Sequence, residues 1–139
     1  MIKLIFKYLF LGTVGGVTYL IIEMLYRGYT FTASFIMGFL AFLFCGLLNE
    51  VLPWDTPLVL QMLYGGAFIT FIEFVVGCIV NILLKLNQWD YSNLPFNLLG
   101  QTCLLFSFFW FLLSGIAIIM DDYLRYWFFD EENPRYKIF

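Results

Sequence analysis

Residues Leu58–Leu84 read LVLQMLYGGAFITFIEFVVGCIVNILL, and this stretch decides the fold. A bilayer's hydrocarbon core takes about 20 apolar residues of helix at roughly 1.5 Å rise each. The stretch meets that length with one ionisable side chain, Glu73, near its middle. A backbone in lipid must satisfy its own hydrogen bonds, and no alternating strand pattern offers a barrel, so the segment is expected to be a spanning helix.

Three more stretches qualify on the same grounds. With Leu58–Leu84 they give expected spans at 4–26, 31–48, 58–84 and 98–120, followed by a tail at 121–139. The breaks have turn chemistry: Arg27-Gly28-Tyr29-Thr30, a segment from Asn49 to Pro57 with prolines at Pro53 and Pro57, and a longer loop from Lys85 to Asn97. Composition agrees. Of 139 residues, 63% are hydrophobic, 22% aromatic and 12% charged, which no soluble core of this size could hide. The mean hydropathy is +0.89. The expected class is therefore all-α, a single integral membrane domain built as a four-helix bundle.

The N-terminal Met1-Ile2-Lys3-Leu4 stretch runs on apolar to Tyr26 without a small-residue cleavage site, so it reads as an uncleaved first span. After Met120, Asp121 and Asp122 end the apolar run. Asp121 can pair with Arg125 one turn on, and Leu124, Trp127 and Phe128 can lie at the headgroups as a short interfacial helix.

Four spans put both termini on one side of the membrane. Lys3, Lys7, Arg125, Arg135 and Lys137 then share that side, against Arg27 and Lys85 opposite. The positive-inside rule predicts a multi-pass protein of the cell membrane with both termini cytoplasmic. Trp54, Tyr123, Tyr126 and Trp127 would mark the inner interface, and Tyr29, Trp89 and Tyr91 the outer one.

Gly15-Gly16 precedes Glu23 with six residues between, and Gly65-Gly66 precedes Glu73 with the same gap, fifty residues on. The recurrence in the first and third spans suggests two parallel helix pairs related by an axis along the membrane normal. At about 100° per residue, Gly12, Gly16, Tyr19 and Glu23 share a face, as do Gly66, Thr70, Glu73, Gly77 and Asn81. Small residues permit close helix approach, so Gly12, Gly16, Gly66 and Gly77 are expected at helix contacts. Cys103, Ser107, Trp110 and Ser114 add a milder stripe in the fourth span.

An intramembrane carboxylate marks a functional site by default. Glu23 has Arg27 four residues on, in the order that favours a helix ion pair, so a structural bridge explains it as well as function does. Glu73 has Gly77 in that place and no basic neighbour on its helix. Its partner must come from elsewhere, or a helix–helix hydrogen bond accounts for it. With Asn81, Asp90 and Asn97 in the same half, Glu73 and Glu23 form a candidate ion- or substrate-binding set, arranged as a polar vestibule open to the outer side. Asn97 can also N-cap the fourth span.

The chain has no histidine, which removes His-based nucleophilic catalysis and histidine-ligated metals, and no acid–base set points to an enzyme. Cys45, Cys78 and Cys103 each lie in an apolar span and read as small hydrophobes. The net charge of −3 carries no basic patch for nucleic acid. No cofactor or metal is expected. No glycine-rich Lys-Ser/Thr phosphate loop occurs, so any use of ATP requires a separate subunit.

Trp89-Asp90-Tyr91-Ser92 with Pro95, Asn97, Gly100 and Cys103 is eight positions within fifteen residues. This pattern, with Glu23 and the pair Glu73 and Gly77, resembles the signature of the family named Putative ABC-transporter type IV, permease-like bacterial membrane proteins. The resemblance runs from the first span through Asp121–Trp127. It implies a permease-like transport component, with membrane lipid, further copies of itself and a separate ATPase as partners. Two positions depart from the pattern. Gln101 stands where many members carry arginine, and Ser34-Phe35-Ile36-Met37-Gly38 lacks the proline of their second span. Two other readings fit the residues: a holin-like pore former of a phage or mobile element, and a structural or regulatory membrane subunit.

Overall fold

The computed structural model describes residues 1–139 and is all-helical apart from a two-stranded ribbon. The first helix, α1, runs Ile2–Arg27 and ends at Gly28, whose φ of 80° only glycine adopts freely while its N–H caps the Met24 carbonyl. The second, α2, spans Thr32–Val51 and stops before Pro53, which cannot continue a helix. The third, α3, spans Leu58–Gly77, begins directly after Pro57 and widens into a π-helical stretch, Cys78–Leu83. A loop leads to β1 (Asn97–Leu98) and β2 (Thr102–Cys103), paired antiparallel, and α4 then runs Leu104–Phe129. All four helices are long and apolar enough to cross a membrane.

Boundaries shift in two places. The fourth span was expected from Leu98, but Leu98–Cys103 forms the ribbon and α4 starts at Leu104. Positive φ angles at Phe96 (55°), Leu99 (53°) and Gly100 (72°) hold a tight reversal there, which a helix cannot contain. The tail also differs. Residues 121–129 are helical but continue α4 without a break, and Asp121, Asp122 and Arg125 are buried rather than at a stop.

Packing is most extensive between α1 and α2 and between α3 and α4, with α2 touching both members of the second pair. The two Gly-Gly pairs are used alike. A Cβ on Gly15 would come within 2.8 Å of the Gly38 carbonyl oxygen of α2, and one on Gly66 within 2.8 Å of Phe111 Cα on α4. Gly12 and Gly16 lie against the Phe39 and Phe35 rings, and Gly77 against Gln101 and Trp89. Such backbone proximity is how helices associate where lipid removes the hydrophobic drive. Leu11, Cys45 and Ile118 are fully buried, while Ile21, Phe71 and Ile116 face outward, as suits a protein whose solvent is acyl chain.

Both termini lie at one end of the bundle: Lys7 Nζ of α1 is 3.0 Å from Glu131 Oε2 beyond α4. The tail then returns along the α2–α3 connection, where Leu58 N–H donates to the Lys137 carbonyl at 2.6 Å and Val59 N–H to that of Ile138 at 3.2 Å.

Candidate functional site

Glu73 is 3% exposed and forms no ion pair. Thr102 Oγ1, on β2, donates to its Oε1 at 2.9 Å, and Tyr91 O–H, on the loop, donates to its Oε2 at 3.3 Å. Both donors come from the segment between α3 and α4, which folds back onto the helix pair. The Tyr91 ring stacks on Phe106 of α4 at 4.7 Å between centroids, so the phenol is fixed where it reaches the carboxylate. Burial, then the neighbouring Glu73, pushes the Tyr91 hydroxyl well above its ordinary range, which keeps it a donor.

Glu73 also lines a partly open cavity of about 100 Å³ between the helices, together with Tyr19, Gly38, Trp110 and Leu113. Its wall is almost wholly apolar, and Glu73 is the one carboxyl that faces it. The Tyr19 and Trp110 rings meet edge to face at 5.7 Å across it. Trp110 Nε1, buried at the same place, also faces the Glu73 carboxyl, outside ideal hydrogen-bond geometry. Thr102 also lines an apolar groove of about 660 Å³ on the outer flank of α3 and α4.

The other members of the expected vestibule are placed differently. Glu23 is bridged by Arg27 Nη2 at 2.8 Å and accepts from Thr30 Oγ1 at 2.6 Å, and the Arg27 guanidinium covers the Tyr29 and Phe31 rings. Asn81 gives its amide to Gln101 Oε1 at 2.8 Å and takes Gln88 N–H at 2.7 Å, which pins the π-helical turn to the loop. Asp90 is exposed and closes a turn by accepting from Ser92 N–H at 2.9 Å and from the Ser92 hydroxyl. Those bonds hold its carboxyl below the usual carboxylate range. Asn97 does not cap α4, because it lies seven residues before Leu104. Its side chain donates to the Leu94 carbonyl at 2.8 Å and accepts Gly100 N–H at 3.0 Å, closing the loop instead.

The loop motif therefore divides. Asp90, Ser92, Asn97 and Gly100 shape it, Trp89 ties it to the Gln101 carbonyl at 3.0 Å, and Tyr91 reaches inward. Tyr91 and Trp89 each spend their polar atom on an internal bond, to Glu73 and to the Gln101 carbonyl. Thr102 was missed because only the ribbon, not a helix period, turns it toward Glu73. Its one signal was a hydroxyl inside an apolar run.

A second polar cluster was also missed, at the end where the termini meet. Asp121 and Arg125 pair at 2.5 Å, as their spacing predicts, but deep in the fold. Arg125 Nη1 also lies 3.1 Å from Glu50, Asn49 Nδ2 donates to Asp122, and Tyr136 O–H donates to Asp122 at 2.8 Å. The partners come from α2 and the tail, so no local pattern announces them.

Four apolar helices around buried carboxylates define a multi-pass membrane protein. A family model described as Putative ABC-transporter type IV matches residues 4–136, and the chain belongs to that family. Searches of curated proteins and of solved structures each returned no match.

Proposed function

We propose that the chain is the membrane component of a transporter in which Glu73 takes up a proton or a small cation. One observation carries the reading: a carboxylate in the middle of an apolar spanning helix, beside a small cavity between the helices, held by two hydroxyl donors and no basic side chain. A buried carboxylate without a counter-ion is stabilised by its donors, by a proton or by a cation, and such groups in membrane spans mark ion and proton paths. Tyr91 and Thr102 both belong to the segment that folds back onto Glu73, so lifting that segment would free the carboxylate toward the end of the bundle away from the termini. In this reading the segment is a lid, Asn81 and Gln101 its hinge clasp, and Asp90 and Asn97 its internal braces. Glu23 serves structure through Arg27, not passage.

The positive-inside count supports cytoplasmic termini in a cell membrane, with the lid facing outward. The cavity beside Glu73 is too small to be a path by itself, which supports assembly of several copies. Energy from ATP would come from a separate subunit, since the chain has no phosphate-binding loop of its own. No catalytic reaction and no nucleic-acid contact is assigned to it. A second reading, a structural or regulatory subunit without flux, draws on the full internal bonding of Glu23, Asn81 and Asn97.

The experiment is purification from native membranes in mild detergent with mass spectrometry of every co-purifying protein. Stoichiometric recovery of an ATPase is expected. Recovery of the chain with itself alone would contradict the ATPase partnership and leave a self-contained carrier or a scaffold, which flux through liposomes separates.

A further inference from the structure

The cluster at the terminal end lines a half-open cavity of about 290 Å³ that the transport reading does not use. Its wall holds the carboxylates of Glu50, Asp122, Glu131 and Glu132 against one guanidinium, Arg125, so negative charge is in excess. Lys7 and Arg135 balance the rim through Glu131 and Glu132, and Asp121 sits behind Arg125. The Asn49 carbonyl oxygen, on a wall side chain 9% exposed, has no hydrogen-bond partner, and Arg125 Nη2 has none either. A buried acceptor left open among carboxylates is the feature that calls for a donor-bearing cation.

The lip shows which kind. Trp54 Nε1 donates to Glu132 Oε2 at 2.8 Å, setting an indole face beside a carboxylate. The chain's own Arg135 already uses that pair: its guanidinium lies 5.8 Å from the Trp54 ring centre, and its Nη1 is 2.7 Å from Glu132 Oε1. Arg135 and Glu132 are both mainly exposed, so this guanidinium rests at the mouth and not inside. A planar, weakly hydrated guanidinium suits an aromatic face plus carboxylates better than a compact ammonium does.

We propose that this cavity is a binding site for a guanidinium group, which enters past the Trp54–Glu132 lip and displaces Arg135 from it. The group is carried either by a free small molecule or by an arginine side chain of a partner protein. Inside, Glu50 and Asp122 accept its N–H donors and the Asn49 carbonyl takes one more. The site is separate from Glu73, so it stands or falls independently of the transport reading.

The test is calorimetric titration of the full chain in phosphatidylcholine nanodiscs with ethylguanidinium and with N-acetyl-argininamide. Saturable binding is expected, weakened about tenfold by Glu132→Gln, which removes one carboxylate charge at the lip. Arg135→Ala is expected to tighten binding severalfold. Both positions are exposed, and circular dichroism checks that each variant stays folded. Tighter binding of N-acetyl-argininamide assigns the site to a partner's arginine, and its exclusion while ethylguanidinium binds assigns it to a free ligand. Absence of saturation up to about 10 mM, equal affinity in wild type and both variants, or displacement by Mg²⁺ at lower concentration than the guanidinium overturns the proposal.

Discussion

Thr102 Oγ1 donates to Glu73 Oε1 at 2.9 Å, joining a two-residue strand outside the helices to the middle of a membrane span. That bond makes the covering segment and the buried carboxylate one unit. Whatever moves the segment changes the surroundings of Glu73, and whatever binds Glu73 changes the hold on the segment.

Thr102→Val keeps the shape of the side chain and removes the donor. A buried hydrogen bond to a charged or partly charged acceptor contributes about 1.5–3 kcal/mol. The variant is expected to lose stability by that order in a thermal melt in detergent and to show faster hydrogen exchange across Trp89–Cys103. Unchanged exchange there would mean that Thr102 does not hold the lid.

Tyr91 gives the alkaline side of the stability profile. Its hydroxyl is raised above the ordinary 10.0 by burial first and by Glu73 next. The folded state therefore retains this proton more tightly than the unfolded chain does. Its contribution is complete below pH 10.0 and is lost as pH rises toward the higher folded value. Tyr136, raised by burial and then by Asp122, adds to the same limb. Melting temperature is expected to fall above that pH, and less steeply in Tyr91→Phe. The same slope in both proteins would exclude Tyr91 as a source.

Glu23→Gln separates the two intramembrane glutamates. It removes the charge facing Arg27 but leaves an oxygen for Thr30. A partly buried pair of this kind is worth about 1 kcal/mol. The expected result is a modest drop in melting temperature with flux retained. Loss of flux at unchanged stability would return Glu23 to the pathway.

Gly66→Ala tests the helix contact. The new methyl would sit 2.8 Å from Phe111 Cα and 3.0 Å from its backbone nitrogen, and backbone cannot turn aside as a side chain can. Overpacking of this kind costs about 1–3 kcal/mol. Gly115→Ala meets the flexible end of Met62 instead and is expected to cost less. Equal melting temperatures for the two variants would contradict the packing argument.

Much of this architecture is legible in the chain because spanning a bilayer imposes one length and one composition. The spans around Glu23 and Glu73 announced themselves, and Gly12, Gly16, Gly66 and Gly77 share the helix faces that the structure packs. What stayed hidden depends on partners distant in sequence. Leu98–Cys103 is apolar enough to pass as helix, yet Asn97 and Gly100 reverse the chain there. Asp121 and Asp122 count as a stop in any hydropathy sum, which cannot see that Arg125, Asn49 and Tyr136 surround them. Gln101, inside the same run, ties Asn81 and, through its carbonyl, Trp89 to the loop, and neither contact has a local signature.

The central claim is that Glu73 carries passage, and the most direct measurement is proton and cation flux through proteoliposomes. These would contain the complex purified from native membranes, prepared in parallel with wild type and with Glu73→Gln. The glutamine keeps the size and shape of the side chain, retains one acceptor oxygen for one of the two hydroxyls and cannot ionise. The account predicts flux in the wild type and its loss in a variant that remains folded and inserted. Full flux through the Glu73→Gln protein would contradict it.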